Sequence, residues 1–398
     1  MVKPLVEYTL EGCIHCLTCM RKCPVDAIHL EKGYVKISTQ SCIGCDLCSK
    51  SCPQNGFKVK NSHMQNTFEQ YDYKVALVPG SFFADFKNIE EAGKMFWAIK
   101  SLGFDEVIDY SDVQGALYLE GIQLTEKSGE LMLTSFCPCI NTLIEKQYPM
   151  LFDQLLPLDY PVEVAAKMVR KRLEGKYERL GIYSLCDCIS KMQLAKHPFG
   201  NENSQIDHAM SLSHIFPKAN RLKNENKMDI VPNREGLCSV VSNFYHYGRL
   251  ERPIISISGI DACIQALELA EFDCLDEIGL LALFACDGGC VGGRYLWSNP
   301  YVGAMRLEQL GNHAYKDVAT IPVSSMQMKR QLDEKGKVNM KEAMSRFHAI
   351  NKILEQLPQF DCGACGYPNC KALATSVYDH QASIQLCRVR KKDHHEIQ

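Results

Sequence analysis

From Lys74 onward the chain alternates short apolar runs with amphipathic stretches. KVALV (74–78), EVIDY (106–110), LMLTS (131–135), RLGIYSL (179–185) and LLALFA (280–285) read as strands, since each is brief, apolar and separated from the next by polar or turn-forming residues. The segment 88–102 carries helical periodicity and closes at Gly103, a residue suited to the left-handed turn that ends a helix. Strands alternating with helices predict an α/β core with parallel strands. Such sheets present ligands at the carboxyl ends of their strands. Three of the runs put cysteines there: Cys137 after LMLTS, Cys186 and Cys188 after RLGIYSL, and Cys286 after LLALFA. The polar stretch Asn61 to Asp72, ahead of the first run, reads as a linker.

With 398 residues, 46% hydrophobic and 23% charged, the chain has material for two or three globular units rather than a disordered segment. A formal charge of -3 and a pI near 6.5 give no general attraction to nucleic acid or to an anionic membrane, and the short basic run Arg388 to Lys392 reads as a solvated terminus. MVKPLVEYTLEGC lacks the apolar core of a signal peptide, and no stretch nears the roughly 18 apolar residues of a membrane span. A cytoplasmic protein is expected. In that compartment thiols stay reduced, so 21 cysteines point to metal ligation rather than disulfides.

CIHCLTCMRKCP (13–24) and CIGCDLCSKSCP (42–53) both fit C-x2-C-x2-C-x3-C-P, the bacterial ferredoxin spacing for two 4Fe–4S cubes, in which the fourth cysteine of each run crosses to the other cube. Cys13, Cys16, Cys19 and Cys52 then form one set, and Cys42, Cys45, Cys48 and Cys23 the other. Structural zinc instead favours paired C-x2-C halves. Near the other end, Cys362, Cys365, Cys370 and Cys387 supply four thiolates for a third cube, with Gly363 and Gly366 permitting a tight turn. Pro368 precedes an Ala-rich segment that reads as a helix returning toward Cys387. This segment resembles the small cluster domain of the corrinoid iron–sulfur protein, of the B subunit of Rnf-type complexes and of the tail of sensory iron-only hydrogenases, whose common property is electron transfer.

The middle of the chain resembles the catalytic domain of iron-only hydrogenases. TSFCPCINTLIEKQYP (134–149) is similar to that family's first active-site loop, usually T-S-C-C-P; CDCISK (186–191) to its second, usually M-P-C-x-x-K; and ALFACDGGCVGG (282–293) to its third, usually E-x-M-x-C-x-x-G-C-x-G-G. VALVPGSFF, LGFDEVIDYSDVQGALYLE and GGRYLWSNPYVG extend the similarity over about residues 74 to 305. The resemblance implies a ferredoxin domain of α+β type over 1–60, a linker over 61–72, a two-lobed α/β hydrogenase-like domain with parallel sheets over 73–345, and a small α-helical 4Fe–4S domain over 346–398. This order is closest to the sensory-type members. It further implies that Cys137, Cys188, Cys286 and Cys290 hold a fourth 4Fe–4S cube. Cys290 would bridge to a diiron unit bearing CO and CN ligands, Lys191 would donate to a cyanide, and Pro79 would lie beside the pocket. Sixteen of the 21 cysteines are then ligands.

Several positions depart from the family pattern. The proton-relaying first cysteine of T-S-C-C-P is Phe136, the third-loop glutamate and methionine are Ala282 and Phe284, and the second-loop methionine and proline are Cys186 and Asp187. Placed proton donors are often worth about 10²–10⁴-fold in rate, so fast turnover is not expected. Cys139, Cys186 and Asp187 could relay protons or bind an unusual metal unit, or the two thiols could simply pack; Cys238, Cys263 and Cys274 read as core thiols. The expectation is an anaerobic, sensory or slow-turnover iron-only hydrogenase interconverting H2 with protons and electrons, serving a ferredoxin-like carrier or signalling partner. The alternative is an electron-transfer or cluster-carrier protein on the same fold without the diiron unit. Reductive catalysis on another small molecule ranks last.

Overall fold

The computed structural model describes residues 6–8, 13–59, 64–195, 198, 203–247, 251–313, 316–328 and 340–389; the last positions of the basic run, 390–392, lie outside them. Contacts divide the chain into two compact units, one of Met1–Cys42, Asp46–Lys60 and Asp333–Gln398, the other of Ile43–Cys45 and Asn61–Leu332.

The first unit joins the two ends of the chain. Its strands β1 (Val6–Tyr8), β2 (Ile28–Glu31), β3 (Tyr34–Ile37) and β4 (Phe57–Val59) make two antiparallel pairs, β1 with β4 and β2 with β3. Lys32 and Gly33, both at positive φ, make the two-residue turn that matches the natural twist of a hairpin. Leu17 and Asp46, each following the second cysteine of its run, are left-handed and start the short helices Thr18–Arg21 and Leu47–Ser51. From the far end of the chain, helix Met340–Leu354 packs on helix Cys370–Tyr378 over a small core of Leu357, Tyr367, Cys370, Leu373 and Ala374. The second helix is capped by Asn369, whose side chain accepts from the Ala372 amide. This terminal segment sits on the β2–β3 hairpin and the loop before it. The Leu30 amide donates to the Gly366 carbonyl at 2.7 Å, His29 and Tyr367 stack with centroids 5.1 Å apart, and Asn369 Nδ2 donates to Asp26 Oδ2 at 2.7 Å.

The second unit is an α/β body with two parallel sheets. Its strands are β5 (Tyr73–Val78), β6 (Glu106–Asp109), β7 (Met132–Leu133), β8 (Leu180–Cys186), β9 (His208–Ser211), β10 (Ile254–Ser258) and β11 (Leu280–Phe284). They are ordered β6-β5-β8-β9 in one sheet and β10-β11-β7 in the other, and every pairing is parallel. β8 and β11 are buried along almost their whole lengths, as strands covered on both faces must be. All five strands expected from the sequence are present, although LMLTS contributes only two residues. β9 and β10 carry too weak a pattern to be read beforehand. The expected helix is Ile89–Lys100, capped by Asn88, and Gly103 takes φ 109°. Of the stretch expected as a linker, residues 61–63 lie outside the described residues; the rest forms helical turns (Met64–Thr67 and Phe68–Gln70) whose Phe68 packs edge-on against Phe104 and Tyr183. Among the described residues no helix is long and apolar enough to cross a membrane.

Candidate metal centre

In the first unit Cys13, Cys16, Cys19 and Cys52 line one cavity together, so the fold brings the last cysteine of the second run to the first three of the first. Local backbone amides already donate to sulfurs of both cysteine runs. The amides of His15, Ala27 and Gly56 point at Cys13, Cys23 and Cys52 Sγ at 3.4, 3.2 and 3.2 Å. Ala27 and Gly56 each lie four residues past the last cysteine of a run, so the two runs repeat the same amide-to-sulfur contact. Donors of this kind stabilise negative sulfur and help set a cluster's potential. Thr18 Oγ1 donates to the exposed Cys16 and lowers its pKa. Burial raises Cys19 to about 11, and it also raises Cys23, with Cys42 adding a smaller push.

Cys362, Cys365, Cys370 and Cys387 line a second cavity. Asp361 Oδ1 accepts from the Cys370 amide at 2.7 Å, which fixes the start of the helix that Cys370 opens. Among the described residues no three His, Cys, Asp or Glu side chains gather closely enough to hold a single metal ion.

The four central cysteines sit at the carboxyl ends of strands in the second unit. Cys137 and Cys188 are the N-cap residues of helices Pro138–Gln147 and Ile189–Leu194, Cys286 follows β11, and Cys290 opens a single 3-10 turn to Gly292. Burial pushes Cys290 up to about 12, with Asp187, Cys137 and Cys286 adding to it and Lys191 opposing. Burial likewise raises Cys188, with Asp187 and Cys286 adding and Lys191 opposing. The thiols therefore feel one another's charge, and bound iron would relieve their pooled cost of ionising together. Gly289 holds the bend between the last two. Its φ is 103°, and a Cβ there would lie 2.4 Å from the Val240 carbonyl and 2.8 Å from the Ser242 amide.

Beside this set lies a largely apolar cavity whose walls include Tyr110, Phe136, Tyr160, Lys191 and Cys290. Lys191 Nζ reaches Asp187 Oδ2 at 2.7 Å, with the acid 1% exposed, and Ser81 Oγ donates to the same oxygen at 2.5 Å. Asp187 Oδ1 is buried without a partner among the described residues. Burial opposes the Lys191 charge, but Asp187, Cys290 and Cys188 outweigh it and hold the ammonium well above its ordinary pKa. Phe136 packs on Phe284 with centroids 4.9 Å apart, so two of the family departures touch each other, and of the two only Phe136 lines the cavity. Pro79 begins the turn leading into Gly80–Asp85 and is not among the lining residues.

Cys139 and Cys186 are 2% and 1% exposed; burial drives the Cys186 thiol to about 12, and Ser184 Oγ lies 3.2 Å from its sulfur. Cys238 and Cys263 are buried, but Cys274, expected in the core, is exposed. It lies in the turn after helix Ile260–Glu271, where no second layer covers it. The sequence reading assigned no role to Ser81. Its signal was present in VPGS, but its significance depends on Asp187, 106 positions away.

At the end of β6, Asp109 is buried, and both the amide and hydroxyl of Ser111 donate to it at 2.9 and 2.7 Å. Burial outweighs those bonds and raises its pKa to about 6. A carboxyl raised in the fold contributes stability that is present below its unfolded value, near 4, and lost as pH climbs through 6. Thermal unfolding of Asp109→Asn against wild type should thus show little difference near pH 4 and a gain for the variant at pH 8, about 3 kcal/mol at most. An equal effect at both pH values would rule out this origin.

Residues 75–217 match the family model described as "Iron only hydrogenase large subunit, C-terminal domain". Residues 9–59 match a 4Fe-4S dicluster domain and residues 357–389 an Fe-S cluster model. No curated protein matches the chain. Among solved structures it is similar to a variant of the FeFe-hydrogenase HydA1 from Chlamydomonas reinhardtii, at 13% identity and TM-score 0.47 over 68% of this chain and 96% of that one. An apo variant of the same enzyme gives 14% identity and TM-score 0.44 over 68% and 96%. Overlap so loose carries no chemistry across. The family matches and the cysteine sets converge instead on one description: the chain carries a hydrogenase-like region over 75–217, a ferredoxin-type 4Fe–4S dicluster region over 9–59 and an Fe–S cluster region over 357–389.

Proposed function

We propose that the protein is a sensory or slow-turnover hydrogenase-like redox protein, in which the central site interconverts H2 with protons and electrons and the other cubes move the electrons. The observation that carries this reading is the cavity walled by both Cys290 and Lys191: one offers a thiolate, the other a buried ammonium with three donors. Cys137, Cys188, Cys286 and Cys290 would hold a cube, and a diiron unit on Cys290 would supply the bond-breaking chemistry at H2. The chain's own residues then do the rest. The apolar wall admits a small uncharged gas and keeps bulk water out, and Lys191 supplies positive charge to an anionic ligand. Phe136, which carries no exchangeable proton, removes one carrier from the usual route, in keeping with slow turnover.

A second reading, an electron relay or cluster carrier without the diiron unit, is favoured by the Asp187–Lys191 pair, because the ammonium already has an anionic partner inside the fold. Infrared spectra of protein matured anaerobically with the diiron assembly machinery separate the two. Carbonyl and cyanide bands are expected. Their absence at full cube loading, about sixteen iron atoms per chain for four sets of four thiolates, would leave the relay reading standing alone. A count near twelve would mean that the central thiols hold no cube.

A further inference from the structure

The two ends of the chain do more than share a unit. The cavity of Cys13, Cys16, Cys19 and Cys52 is also walled by Met20 and Leu30. The same two residues meet the terminal cysteine loop. An added Cβ on Gly363, between Cys362 and Cys365, would lie 3.5 Å from Met20 Cε, and the Gly366 carbonyl accepts from the Leu30 amide at 2.7 Å. Gly363 in turn lines the terminal cavity. One layer of residues therefore separates the terminal cysteine cavity from the first ferredoxin cavity. The layer is pinned on both flanks, by the His29–Tyr367 stack, whose planes differ by only 2°, and by Asn369 Nδ2 on Asp26 Oδ2. No rotation about a hinge is needed to bring the two together.

We infer that the terminal cube and the cube of Cys13, Cys16, Cys19 and Cys52 form a directly coupled redox pair across Met20 and Leu30. This inference rests on the cluster reading above and adds which two cubes are neighbours. One electron leaves the reduced cube and enters the oxidised one; no bond is made or broken and no proton moves. Electron tunnelling falls off steeply with separation, so a single-residue layer favours this exchange. The seam also explains the glycine at 366. It sits at φ 91°, and a Cβ there would come 2.7 Å from the Leu30 carbonyl, so any side chain would both strain the backbone and prise the seam open.

The test is electron paramagnetic resonance of the full chain, cluster-reconstituted and reduced with dithionite, with iron counted on the same samples. The wild type is expected to show the terminal cube's signal broadened and fast-relaxing through its neighbour. In Cys362→Ser about four iron atoms and the terminal signal should disappear while the first ferredoxin cube's lines sharpen. Gly366→Val should keep all the iron yet lose the broadening. If the wild-type spectrum equals the Cys362→Ser spectrum plus an unbroadened cube at full iron, the pair is not coupled, although the clusters are present. If the wild type binds no terminal iron, the cluster reading fails and the inference with it.

Discussion

Asp187→Ala is expected to destabilise the protein by about 3–5 kcal/mol, the cost of leaving one member of a buried ion pair without its partner. Lys191 has nowhere to go: its side chain is 13% exposed and its near neighbours besides Asp187 include Cys188 and Cys290. Removing the acid also strands the Ser81 hydroxyl that donates to it. The double variant Asp187→Ala/Lys191→Met should recover much of the loss, because no bare charge then remains in an apolar wall. Thermal unfolding followed by circular dichroism, run as a double-mutant cycle, reads the coupling. Additive losses would show that the two groups do not act as a pair. A separate variant adds a second readout: with the ammonium released from its carboxylate, Asp187→Asn should shift any cyanide band in the infrared, which a purely structural role would not do.

Gly289→Ala should be nearly as damaging and more selective. Its methyl group would press on two main-chain atoms, Val240 O and Ser242 N, and neither can rotate aside as a side-chain tip would. Overpacking of this kind costs about 1–3 kcal/mol, and a left-handed alanine adds strain on top. Relief must come from moving the loop itself, which carries Cys286 and Cys290. The expected result is loss of about four iron atoms per chain with the ferredoxin and terminal signals intact. Full iron retention with an unchanged spectrum would show that the bend tolerates a side chain.

How much of this was written in the sequence varies with the range of the interaction. Strands β5, β8 and β11 announce themselves because central parallel strands need unbroken apolar runs, and the ferredoxin runs do so because a cube fixes thiolate spacing within a few residues. β9 and β10 are short and lie at sheet edges, where half-exposed residues such as His208 and Ile255 dilute the pattern. The Asp187–Lys191 pair could have been suspected from helical i,i+4 spacing, but Ser81 joins it only through the fold. Cys274 looked like its buried counterparts because a free cysteine carries no mark of exposure in its own neighbours. The seam between Leu30 and Gly366 had no signature of its own, since Gly366 reads only as a turn residue between cysteines and Leu30 as one more apolar position.

That seam bears on how the molecule comes into being. Asn369 and Asp26 bond although 343 positions apart, so a ribosome must add that much chain beyond Asp26 before the first unit can close. Until then Met20, His29 and Leu30 face water beside thiols ready to take up iron. Closure at such separation carries an entropic cost and comes late, which leaves this ferredoxin-type segment of the newborn chain open to oxidation, proteolysis or a helper that delivers iron and sulfide before its other half arrives.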